Sequence, residues 1–180
     1  MSNNGIQEID VELWKNLKSV TLFNIKSILE SVKVLLDYNL EENREVLYKH
    51  PSVCAGLFTY AIEEYGKLLT LQSSDLVNNK VKIEYRTKFL NHREKFRVAI
   101  EKLKSTSSQS IELGKSVFDE TFFDPRLFDT DKTISEFETR KAIFYSDFKD
   151  NQIVTLPNVD QETLRIAYES FKRVIDSIEI

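Results

Sequence analysis

Three short segments carry the residues whose types and spacing could do chemistry: AIEEYGK at 61–67, NHREK at 91–95 and RKAIFYSD at 140–147. They offer two carboxylates (Glu63, Glu64), two ammonium groups (Lys67, Lys95), a guanidinium (Arg140) and His92, one of only 2 histidines in the chain. Imidazole is the side chain best matched to proton transfer near neutral pH. A lysine or arginine beside it can hold a phosphate as charge develops, and a carboxylate can orient either group. The set therefore suits a polar cleft that grips an anion or moves a proton. A plainer reading also fits, in which Glu64 and Lys67 form a solvated helical pair and His92 is a hydrogen-bonded core histidine. The second histidine, His50, stands beside Pro51 and reads as a surface residue.

Other chemistries are excluded by spacing. Two histidines and one cysteine, far apart in the chain, make no zinc site, although a carboxylate-bound magnesium at Glu63 and Glu64 stays open. Gly66 and Lys67 do not end a phosphate-binding loop, because Ala61 stands where its first glycine belongs. No nucleophile elbow is present, and no cofactor is expected. The single cysteine, Cys54, has apolar neighbours and reads as a small buried residue in a reducing compartment.

These side chains must be positioned by helices. Leu22, Ile25, Leu29, Val32 and Leu36 step by three and four after Asp10, an N-cap type residue, and predict a first helix. Pro51 predicts the start of a second, running to about Ser73. At about 100° per residue, Cys54, Leu57, Phe58, Ala61, Tyr65, Leu68 and Leu69 share its apolar face. Glu63 then falls opposite that face, and Glu64 falls at its margin in line with Tyr60 and Lys67. A third helix is predicted over roughly 77–104, with His92 in the middle of the stripe Tyr85, Phe89, Phe96, Ala99 and Leu103. On that helix Lys88 and Lys95 neighbour His92, while Arg86 projects away.

Residues 105–132 read as a long irregular connection rich in turn residues and aromatics. Thr133 and Glu136 have capping-box spacing ahead of a fourth helix to about Tyr145. Residues 146–159 read as an extended, hairpin-like loop. Asp160 then caps a last helix with Leu164, Ala167, Phe171, Val174 and Ile178 inward. The expectation is an all-α, antiparallel bundle of about five helices in one domain over 1–180.

Composition agrees. With 4 glycines and 3 prolines in 180 residues, the chain lacks the punctuation of a many-stranded barrel. No run reaches the length of a membrane span, and the start MSNNGIQEID lacks the features of a secretory signal, so a cytoplasmic location is expected. The net charge of −4 opposes bulk attraction to nucleic acid. Residues 80–104 nevertheless hold nine Lys or Arg against three Glu, so local binding of an anion stays open.

In order and distance, these segments resemble the AbiV-type abortive-infection family of HEPN-like helical domains. That family shows Glu-Glu-x-Gly-Lys closing an alanine-rich helix, then His-x-x-Lys, then Arg followed by Tyr and Asp before a proline. The matching positions are Glu63, Glu64, Gly66 and Lys67; His92 and Lys95; and Arg140, Tyr145, Asp147 and Pro157. The resemblance runs over about residues 20–178. It implies a HEPN-like bundle, commonly a homodimer, in a prokaryotic phage-defence protein. The module would bind a phage or host protein, a nucleotide or RNA and interfere with translation, with Glu63, Tyr145 and Asp147 as binding residues and 117–128 as a docking surface.

Many HEPN domains are also metal-independent ribonucleases with an arginine a short spacer before a histidine. Arg86 and His92 satisfy that spacing, but Thr87 stands where the pattern usually has Asn, Asp or His. In a nuclease built on the other cleft, His92 would be the acid or base, Lys95 and Arg140 would hold the phosphate, Glu64 would orient them, and Lys67 would complete the site.

Overall fold

A computed structural model of the protein describes residues 5–38, 51–107, 147–149, 152–154 and 161–179. In chain order these form β1 (Ile6–Asp10), α1 (Val11–Tyr38), α2 (Pro51–Gln72), β2 (Asp75–Val77), β3 (Lys80–Glu84), a π-helical turn (Tyr85–Phe89), α3 (His92–Ser107), β4 (Asp147–Lys149), β5 (Gln152–Val154) and α4 (Gln161–Asp176). The described chain is mostly helical. The expected fourth helix over 133–145 and the connection beyond Ser107 lie outside the described residues.

The main core is assembled by the apolar stripes. Leu22, Ile25, Leu29, Val32 and Leu36 of α1 are all buried against Cys54, Phe58, Ala61, Ile62, Tyr65 and Leu68 of α2. Phe96, Ala99 and Leu103 of α3 and Leu164, Ala167, Tyr168, Phe171 and Ile175 of α4 complete it. Phe171 meets both Phe58 and Tyr65 edge-on, at centroid distances of 5.7 and 5.5 Å, which are favourable aromatic geometries. Arg165 of α4 donates to the Leu36 carbonyl at 3.0 Å, satisfying an acceptor in the last turn of α1. The Cys54 thiol is buried and donates to the Val32 carbonyl, and burial pushes its pKa up to about 12, so it serves as packing rather than as a nucleophile.

The all-α expectation needs correction. Residues 77–104 are not one helix, because β2 and β3 form a hairpin through Asn78 and Asn79, whose φ values are +52° and +61°. Two consecutive left-handed residues make the turn that matches strand twist, and asparagine tolerates that region. β1 pairs with the other side of β3, giving an antiparallel sheet of order β1-β3-β2. Val81 and Ile83 of β3 point inward onto Leu71 and Phe89, with Trp14 packed beside them, while Lys80, Lys82 and Glu84 face out. Trp14 fastens this second core to α2 by donating its indole N–H to the Leu71 carbonyl at 2.7 Å. The extended loop expected over 146–159 does contain a hairpin, β4 with β5.

Candidate functional site

The site lies where α2 crosses the first turn of α3. A Cβ built on Gly66 would stand 1.8 Å from the Lys95 carbonyl oxygen, so only glycine allows the two backbones this approach. The Gly66 carbonyl in turn accepts the buried Thr70 hydroxyl at 2.9 Å. Gly66 thus sets the spacing at which neighbouring side chains of the two helices meet.

α3 begins at His92 because Asn91 caps it: the Asn91 side-chain oxygen accepts the Glu94 backbone N–H at 3.4 Å. His92 is therefore the first helical residue, and not a member of a mid-helix stripe as the sequence predicts. Its side chain is 50% exposed. Glu63, expected to face outward, is 3% exposed and lies 2.8 Å from it, Oε2 to Nδ1. The wheel misjudged Glu63 because α2 is enclosed on more than one side, by α1 and α4 on its apolar face and by the start of α3 on the other. Of residues 58–71 only Tyr60 is exposed. A helix in that setting buries polar positions too, and they must be paired.

The other carboxylate of the pair is also buried. Glu64 Oε2 lies 3.4 Å from Lys67 Nζ, and that ammonium sits 5.0 Å from the centroid of Phe89. Phe89 reaches this place from the π-helical turn, where Tyr85 stacks on it at 5.4 Å. Lys67 is half-buried between an acid and an aromatic face, a setting that fixes the side chain. Lys95 is 6% exposed beside the Gly66 crossing.

When Glu63 is ionised it can only accept, and the 2.8 Å contact then places a hydrogen on Nδ1 of His92. Nε2 then carries the ring's basic lone pair whenever the imidazole is neutral. Such a pair can take up a proton and stabilise the imidazolium that results. It can equally lock two helices together.

Glu63 meets His92 and Glu64 meets Lys67, with Lys95 at the Gly66 crossing, whereas the sequence predicts an outward Glu63 and groups Glu64 with His92. Arg86 is not part of this group as a helical neighbour. It is exposed in the π-helical turn, with its side-chain stem 3.1 Å from a Cβ built on Gly5, and the continuous helix that related it and Lys88 to His92 is interrupted. Arg140 and Tyr145 lie outside the described residues, and of Asp147 only its place at the start of β4 is described. No group of acidic, histidine or cysteine residues suited to a metal ion occurs among the described residues. Sequence reasoning missed Gly66 as the crossing point and Asn91 as the cap. The second had a signal, since Asn91 and Glu94 have cap spacing immediately around His92.

Several cations of the basic 80–104 stretch are already engaged by acids. Arg97 contacts Glu94 at 2.6 Å and also Glu101, and Lys82 lies 3.6 Å from Glu8. No helix among the described residues is long and apolar enough to cross a membrane. In comparisons with known proteins, no family model, no curated protein and no solved structure matches the chain.

Proposed function

We propose that the protein is a cytoplasmic prokaryotic phage-defence module of the AbiV type, a HEPN-like bundle that acts as a homodimer. It binds a protein, nucleotide or RNA partner and thereby interferes with translation. One observation carries the binding reading over a catalytic one: Glu63, Glu64 and Lys95 are all buried at the Gly66 crossing. Charged groups so placed hold helices together and are shielded from a polymeric substrate. The resemblance of the three motif segments supports the defence setting.

The test compares expression toxicity and cellular RNA integrity for wild type, Glu64→Ala, Lys67→Ala and His92→Ala, with circular dichroism to check folding. Intact RNA, with toxicity retained by folded His92→Ala, is the expected outcome. RNA breakdown that disappears in folded His92→Ala overturns the binding reading.

The half-exposed His92 held by Glu63 favours a second reading, a metal-independent ribonuclease. His92 would take the proton of a ribose 2′-hydroxyl as that oxygen bonds to phosphorus. It would return the proton to the 5′-oxygen as the old P–O bond breaks, leaving a 2′,3′-cyclic phosphate. Lys95 and Arg140 would steady the phosphate.

A further inference from the structure

We infer that Glu63 is the positioning residue of His92, holding the imidazole as the Nδ1–H tautomer so that Nε2 is its basic atom. The inference rests on the second reading above for its chemistry, but its geometry stands on three observations. The 2.8 Å contact joins Nδ1, not Nε2, to the carboxylate. Glu63 is 3% exposed whereas His92 is 50% exposed, so the acid is the fixed, enclosed member and the ring is the member that reaches solvent. The partners come from different elements whose separation is set by the Gly66–Lys95 backbone approach, which leaves little freedom to re-pair.

The chemical consequence follows from hydrogen-bond inventory. With Nδ1–H donating to Glu63, a proton taken from a hydroxyl enters at Nε2, and the carboxylate neutralises the imidazolium formed. When the same proton passes to the leaving oxygen, the pair returns to its starting state and no co-reactant is consumed. On the ribonuclease reading, the group that arrives at the exposed edge of His92 is the ribose 2′-hydroxyl, which RNA has and DNA lacks. Glu63 touches neither reacting atom and acts only through the ring.

Nitrogen NMR of the full chain labelled on histidine tests this, measured well above the imidazole titration range. There are only 2 histidines, and a His50→Gln variant assigns their signals. Wild-type His92 is expected in the Nδ1–H form, and Glu63→Gln, checked for folding by circular dichroism, is expected to restore a majority of the usual Nε2–H form. An Nε2–H ring in the wild type overturns the inference without any variant being needed, and so does a tautomer unmoved by Glu63→Gln. A single-stranded RNA oligonucleotide supplies the second arm. If it is cleaved, Glu63→Gln is expected to lower kcat by about a hundredfold with little change in KM. Equal kcat in the two proteins overturns the positioning role. An uncleaved oligonucleotide beside an Nδ1–H ring overturns the ribonuclease reading while the Glu63–His92 assignment survives.

Discussion

Gly66 shows how one small residue governs a polar site. Glu63, three residues before it, reaches His92 at the start of α3 at 2.8 Å because the Lys95 carbonyl can approach the Gly66 backbone. An alanine there places a methyl group inside the van der Waals radius of a backbone oxygen, which no side-chain rotation can relieve. Gly66→Ala is expected to cost about 3 kcal/mol in urea unfolding, and the His92 tautomer population should loosen in parallel. An unchanged urea midpoint would show that the helices separate at little cost.

At the scale of elements, the segment between α2 and α3 turns a helical chain into a mixed one. Its hairpin depends on Asn78 and Asn79 holding positive φ, a region in which alanine is strained by about 1 kcal/mol per residue or more. Asn79→Ala should therefore destabilise the β1-β3-β2 sheet by about 1 kcal/mol, whereas Asn79→Gly should be neutral or stabilising. Fluorescence of the only tryptophan, Trp14, reports this directly, because its indole N–H binds Leu71 beside the sheet. Equal stability of the alanine and glycine variants would contradict the backbone explanation. The π-helical turn that follows delivers Phe89 beneath Lys67, so the sheet and turn complete one side of the site that α2 begins.

For the whole molecule, the main core encloses two tyrosines whose hydroxyls resist ionisation. Burial pushes Tyr65 up to about 12, and burial reinforced by the carboxylates of Glu30, Glu169, Asp176 and Asp37 does the same to Tyr168. Below pH 10 both hydroxyls are protonated in the folded and unfolded chains, and their contribution is fully present. From about pH 10 to 12 the unfolded chain ionises and the folded one does not, so stability is lost as pH rises, on the order of 2 kcal/mol for each group by the end of that window. Urea midpoints measured across this range should fall, with tyrosinate absorbance from these two residues rising only on unfolding. A midpoint that is flat to pH 11 would mean that the hydroxyls are solvated in the folded state.

The amphipathic helices were legible in the chain itself. The inward stripe of α1, the start of α2 at Pro51, the buried Cys54 and the inward face of α4 all follow from spacing, because apolar period and capping are local properties. The residue types of the polar groups at Glu64, Lys67, His92 and Lys95 were legible too. The order of those groups was not. A helical wheel assumes one buried side, and α2 has more than one, so Glu63 went from outward residue to the buried partner of His92. Likewise the apolar spacing of 77–104 fits a helix as written, but Val81 and Ile83 also alternate at the period of a strand, and pairing with the distant β1 decides between the two. Which residues are amphipathic is set within a few turns of chain. Which charges are buried, and which nitrogen of His92 meets its acid, is set by the approach of two helices at Gly66, a contact that no local window contains.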